Sequence, residues 1–292
     1  SALIVMSGIK KGIEKYSRIM MPFLFFMVVI LMIRSVTLPG AEKGILFLVK
    51  PDFSKINTQV ALAALGQAFF SLSLGMGCMI TYGSYIPKRE NLTKLAFTTA
   101  MSDTLFAILA GLAIMPAVFS FGISPQEGPG LVFIVLPRIF AQIPLGNIFA
   151  VMFYLILFIA AITSSISLLE VVTAYITEKL KMKRKTAVAI ISALVAVCAS
   201  FSSLSQGVLQ HVKIFGKSIF DFFDYLSANI LLPLGGLSIV LFVGWYIKKS
   251  TVYDEFTNQG TLKGTLFRAY YFLIRYVAPV AIAAVFVDLI VR

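Results

Sequence analysis

An all-α polytopic membrane protein is the fold class the sequence predicts, on three observations. Of its 292 residues 59% are hydrophobic and only 13% charged, with a mean hydropathy of +0.93. Soluble domains hold roughly 45–50% apolar residues, so a fold surrounded by water could not bury this chain. Apolar stretches of the ~20 residues that cross a hydrocarbon core about 30 Å thick recur along its whole length. Lys and Arg sit in the breaks between those stretches rather than on one basic face, which excludes a nucleic-acid-binding module in spite of the net charge of +12.

Seven spans are expected, at about 16–38, 57–86, 92–120, 144–177, 184–203, 218–247 and 265–291. The first is entered through Lys10, Lys11, Lys15 and Arg18, and Gly12 is followed after nine residues by Pro22. Proline removes a backbone hydrogen bond and glycine loosens the chain, so this end is able to unwind or to kink. The second span has Phe70-Ser71-Leu72-Ser73-Leu74-Gly75-Met76-Gly77 at its centre. Gly75 and Gly77 mark either a helix break, tolerated at membrane depth only where it lines a cavity or is buried in protein, or close helix packing through small residues.

The third span carries Asp103 well inside it, and an intramembrane carboxylate, costing about 2.5–3.5 kcal/mol to insert, usually faces an ion or substrate path. The fourth carries Ala160-Ala161-Ile162-Thr163-Ser164-Ser165-Ile166-Ser167, neutral oxygens suited to a monovalent cation or, alternatively, hydroxyls bonded back to their own helix. Glu170 and Glu178 follow towards its end, as gate partners or as solvated groups. The fifth span is plain. Asp221 and Asp224 open the sixth, where a helix N-terminus favours carboxylates and a gating role is equally open.

Alternate breaks hold sixteen Lys and Arg on one side, including Lys88, Arg89 and Lys179 to Lys185, against seven on the other. By the positive-inside rule the N-terminal edge is cytoplasmic and the C-terminus outside, in a plasma (inner) membrane. Two outer connections, about 39–56 and 121–143, are long and apolar enough for an ordered cap; Gly128-Pro129-Gly130 lies in the second. One transmembrane domain over 1–292 is expected. Cys78 and Cys198 lie inside apolar segments, so no disulfide framework is indicated. The single histidine, His211, has no second metal ligand nearby, and no enzyme chemistry is read. Ser1 to Met6 reads as the last turns of an apolar helix, which implies upstream sequence.

Three runs, GQAFFSLSLGMGCMITYGSY (Gly66 to Tyr85), TSSIS (Thr163 to Ser167) and DFFDYL (Asp221 to Leu226), resemble those of the neurotransmitter:sodium symporter family in order and spacing. The resemblance covers essentially the whole chain and implies a LeuT-type fold, in which broken helices meet at the membrane midplane. It implies the family's fifth to eleventh helices, with the first four missing. Phe70, Ser73, Gly75 and Met76 would then line the substrate pocket, which Leu168 closes. Ser71 would serve a first sodium, and Ala160, Thr163 and Ser164 a second. Asp224 would belong to the extracellular gate, Tyr85 and Glu178 to the cytoplasmic gate, and Gly12 with Pro22 to a segment that unwinds. Ser102 or Asp103 falls where many members carry Asn as a sodium ligand; Asp103 is a sodium ligand, a substitute for chloride or a proton carrier.

What the resemblance implies is sodium-coupled import of a hydrophobic amino acid, aromatic ones within reach, by alternating access in a lipid bilayer. No cofactor is expected beyond Na⁺ as coupling ion, chloride is not required, and the missing helices complete the site. Three rivals stay open: a proton-coupled or uncoupled transporter of the same fold, an ion channel, and a non-transporting membrane subunit.

Overall fold

The computed structural model describes residues 1–88, 90–122 and 131–291, so Arg89 and the expected cap residues Gly128-Pro129-Gly130 lie outside the described residues. Among the described residues six helices are long and apolar enough to cross a membrane: α2 (Ile9–Val36), α6 (Leu92–Ser120), α8 (Gly146–Lys179), α9 (Arg184–Leu204), α10 (Ile219–Tyr246) and α12 (Phe267–Ile290). Shorter helices are α1 (Ala2–Met6), α3 (Glu42–Val49), α4 (Thr58–Ser71), α5 (Cys78–Tyr85), α7 (Leu131–Phe140) and α11 (Lys249–Phe256). The second expected span is thus α4 followed by α5, each too short to cross alone. The chain is multi-pass and, among the described residues, all-α but for one hairpin, β1 (Lys213–Ile214) and β2 (Lys217–Ser218). Phe215 and Gly216 between them both take positive φ, 50° and 79°, the geometry that two-residue hairpin turns favour.

Contacts divide the chain into two compact units. The first holds residues 3–54 and 101–166, the second 55–100 and 167–292. The division cuts α6 and α8 rather than linkers.

In the first unit the core runs through Leu24, Met27, Val28 and Leu31 of α2 and Val118 of α6, together with Leu136 and Ile139 of α7 and Phe153 and Ile156 of α8. Both long connections contribute to it: Leu38 and Ala41 precede α3, and α7 sits inside the second. The second connection buries Leu136 and Ile139 by forming α7, whereas Leu46, Phe47, Leu48 and Val49 of α3 stay exposed; α3 nevertheless comes so close to α6 that a Cβ on Gly44 would meet the backbone of Pro116 at 2.5 Å. Pro116 lacks an N–H and displaces the carbonyl one turn earlier, which frees the next amide. That amide, of Ala117, donates to the buried Ser35 hydroxyl at 3.0 Å. Before α2 straightens, its chain makes a π turn over Ile9–Glu14. Gly12 is buried inside that turn, and a Cβ there would collide with the Ile4 carbonyl of α1.

The second unit holds α4, α5, the end of α8, and α9 to α12. Here α10 is capped by Ser218, whose hydroxyl accepts from the Asp221 amide at 3.1 Å and bonds the Asp221 carboxylate at 2.6 Å. Of the two acidic residues that open this span, Asp221 is therefore a capping group. Further π turns interrupt α10 over Leu226–Leu231 and Phe242–Tyr246, and α12 over Leu273–Val277.

Candidate functional site

The helix break belongs to the second unit. Asn57 caps α4 by accepting the Val60 amide at 2.9 Å, and the helix then runs to Ser71. Beyond it, Ser73 (φ 54°), Gly75 (φ 83°) and Gly77 (φ 80°) all take left-handed backbone conformations, which end an α-helix. Leu74 donates back to the Phe69 carbonyl at 3.0 Å and Thr81 to the Gly77 carbonyl at 2.9 Å. Between these bonds, and among the described residues, the amides of Gly75, Met76 and Gly77 have no backbone acceptor. Polar backbone is left open there inside an otherwise apolar span.

Two glycine contacts position the break. A Cβ on Gly75 would run into the Leu232 carbonyl and come within 3.0 Å of the Gly236 amide, and one on Gly235 would meet the Gly75 carbonyl. The Gly235-Gly236 pair in α10 therefore lets two backbones touch. The ring of Phe69 occupies the space that a side chain on Gly236 would need. On the α8 side, a Cβ on Gly77 would stand 3.1 Å from Val171. Sequence reasoning missed Gly235 and Gly236; adjacent glycines inside an apolar span were the available signal.

The remaining substrate candidates are distributed around this break. Phe70 is 54% and Leu168 47% exposed, Ser71 is exposed with its hydroxyl 3.5 Å from the Ala68 carbonyl, and Ser73, Gly75 and Met76 are half-buried. A cavity of about 320 Å³ opens between α4, α10 and α12, and Phe70 alone of these candidates lines it. Its other walls include Gln67, Asn229 and Asp288.

Below the break, α5 is pinned to α8. The Tyr82 hydroxyl donates to Ser167 at 2.9 Å, and the Tyr85 hydroxyl to Glu170 at 2.7 Å. Glu170 is fully buried and receives both guanidinium nitrogens of Arg184, Nη1 at 3.1 Å and Nη2 more closely. A bidentate carboxylate–guanidinium pair of this kind is the tighter form of ion pair. Of the two residues expected at the cytoplasmic gate, Tyr85 reaches Glu170, and Glu178 is exposed about two turns further along α8. Arg184 was counted only as a positive loop charge. Its position as first residue of α9, one short turn after α8, is what returns it to Glu170. Asp224 is exposed on the first turns of α10, one turn past the capping Asp221.

In the first unit, Thr163 donates to the Ala160 carbonyl at 2.8 Å, and Ser165 to Ala161 at 2.6 Å. Two proposed sodium ligands, a hydroxyl and a carbonyl, are thus already adjacent, in the back-bonded arrangement that a polar group adopts in an apolar helix. Ser164, the third, is exposed. Asp103 is half-buried on α6 about three turns from Leu92. Gly12 lies in the π turn, and Pro22 is exposed within α2. Among the described residues no three His, Cys, Asp or Glu side chains cluster as a metal site would require. The oxygen donors present are carbonyls, hydroxyls and isolated carboxylates, the chemistry that suits hard monovalent cations.

The whole chain, residues 1–292, matches the model of the sodium:neurotransmitter symporter family. It is 41% identical over 290 residues to the uncharacterized sodium-dependent transporter YhdH of Bacillus subtilis, covering 99% of this chain and 64% of that protein. It is 41% identical over 289 residues to an uncharacterized sodium-dependent transporter of Haemophilus influenzae, covering 98% and 62%. Its structure resembles the crystal structure of MhsT in complex with L-phenylalanine, with a TM-score of 0.87 and 45% identity, over 99% of this chain and 65% of that one. The chain spans a little under two thirds of the length of each of these proteins. Its helices share the LeuT-type architecture of MhsT. A match along every residue, with a solved relative of the same fold, places the chain in the sodium:neurotransmitter symporter family.

Proposed function

We propose that the chain supplies seven helical segments of a sodium-coupled symporter that imports a hydrophobic amino acid, aromatic ones included, by alternating access across the plasma (inner) membrane. The observation that carries this is the interruption of one span at residues 72–77, with three amides open and its backbone seated on Gly235-Gly236. Open amides and half-helix ends are where a zwitterion and an ion find their partners at membrane depth. Phe70, Met76 and Leu168 supply apolar walls, Ser73 and Gly75 face the substrate's polar end, and the thioether of Met76 adapts to large side chains. That MhsT was crystallised with L-phenylalanine supports an aromatic substrate.

Ser71 contributes to a first sodium, and Ala160, Thr163 and Ser164 to a second. Each sodium shifts the equilibrium only by binding one state more tightly than the other. Asp103 supplies fixed negative charge, so that chloride is not needed. The Tyr85–Glu170–Arg184 cluster, with Glu178 beside it, is the cytoplasmic gate, Asp224 works at the extracellular one, and Gly12 with Pro22 lets the start of α2 unwind. Helices outside these 292 residues complete the single transmembrane domain and its site.

Uptake of radiolabelled amino acids by proteoliposomes of the full-length protein tests the proposal. Replacing sodium by potassium is expected to lower L-phenylalanine uptake at least ~10-fold, about 1.4 kcal/mol of coupling. Replacing chloride by gluconate is expected to leave it unchanged. Uptake that ignores sodium and follows a pH gradient would identify a proton-coupled transporter instead.

A further inference from the structure

Outside the proposed transport machinery, Arg275 is partly buried among aromatic rings with no carboxylate paired to it among the described residues. Arg275 lies in the π turn of α12, packed on the π turn that ends α10: a Cβ on Gly244 would stand 3.0 Å from the Arg275 Cα. Its guanidinium carbon is 4.5 Å from the Trp245 ring centre, 5.7 Å from that of Tyr276 and 5.8 Å from that of Tyr271. The cage is held by backbone contacts, since Trp245 Nε1 donates to the Arg275 carbonyl at 3.0 Å and the Tyr271 hydroxyl to the Gly244 carbonyl at 3.2 Å. A second cation shares it: the Lys249 ammonium is 5.4 Å from the same Tyr271 ring.

Aromatic faces attract cations but cannot accept the in-plane N–H bonds of a guanidinium. Among the described residues no carboxylate pairs with Arg275 or Lys249, and Arg275 Nε is buried without an acceptor. Two like charges around one ring leave a site that an anion would relieve. Its depth indicates which anion. Trp245 occupies the last turn of α10, followed at once by Lys248 and Lys249, and both Trp245 (57%) and Tyr276 (48%) are exposed. Exposed Trp and Tyr next to Lys mark the headgroup level of a bilayer, where lipid phosphates lie. Guanidinium forks bind phosphate bidentately.

We propose that Arg275 and Lys249, framed by Trp245, Tyr271 and Tyr276, form a binding site for the phosphate of an anionic phospholipid wedged between α10 and α12.

The chain carries its own reporter, because Trp245 is its single tryptophan. The full chain is reconstituted with phosphatidylglycerol or phosphatidylcholine bearing brominated acyl chains, which quench nearby indoles. Trp245 is expected to be quenched at about fivefold lower mole fraction by the anionic lipid, the preference one basic side chain confers at an anionic surface. Arg275→Gln is expected to bring that preference near one, Arg275→Lys to retain most of it, and Lys249→Gln to reduce it. Equal quenching of the unaltered protein by the two lipids overturns the proposal whether or not any variant folds, as does an undiminished preference in a folded R275Q. Loss of the preference on adding inorganic phosphate, but not chloride of equal ionic strength, would mean that the site takes free phosphate and would overturn the lipid assignment.

Discussion

Gly75 excludes a side chain for two separable reasons. Its φ of 83° costs any L-residue about 1–2 kcal/mol, and the space where a Cβ would go belongs to the Leu232 carbonyl and Gly236 amide, which are backbone and cannot rotate away. Gly260 shares the φ of 83° but has nothing within 4 Å of a Cβ. Gly75→Ala is therefore expected to destabilise by about 3 kcal/mol or more and Gly260→Ala by only about 1, the difference being steric. Thermal unfolding of the two variants in one detergent checks this, and equal losses would show that the approach to α10 is not tight. A pair of glycines in the second span announced a break from sequence, but the choice between a break and close packing was false: Gly75 does both at once. The partner glycines in α10 could not be found that way, since nothing in a single sequence says which two backbones meet.

At the scale of elements, the end of α5 is tied to the α8–α9 turn by one buried carboxylate. Removing one partner of a buried ion pair costs about 3–5 kcal/mol because the other charge stays behind. The Arg184 side chain keeps 25% of its exposure, which sets the expectation for Glu170→Ala near the lower end, about 3 kcal/mol. Tyr85→Phe removes one hydrogen bond and leaves the pair intact, for about 1 kcal/mol. The same unfolding measurement, extended to the Glu170→Ala, Arg184→Ala double variant, should show a coupling above ~1 kcal/mol. Additive single losses would show that the pair is not a unit. Length and apolarity decide which stretches form long helices, and hydropathy reads both. It could not locate Tyr85 opposite Glu170 rather than Glu178: the two glutamates lie about two turns apart on one helix, and only the angle at which α5 meets α8 selects between them.

For the molecule as a whole, the order of apolar spans and the resemblance of three motifs carried the fold, the family and the expectation of sodium coupling. The helical character of the long connections was not legible, since α3 and α7 are too short to show a period; α7 buries Leu136 and Ile139 in the core of the first unit, whereas α3 leaves its large apolar side chains exposed and approaches α6 through Gly44. Nor were the π turns of α2, α10 and α12, whose extra residue leaves no compositional trace. The proposed transport mechanism requires that residues 72–77 interrupt a membrane helix so that their amides serve ligands instead of one another. Hydrogen–deuterium exchange of those amides, with sodium and L-phenylalanine absent, present singly and present together, tests it most directly. Exchange faster than in α4 and α5 without ligands, slowed about tenfold or more only when both are present, is the predicted result; amides as slow as those of α4 from the outset, or indifferent to both ligands, would contradict it.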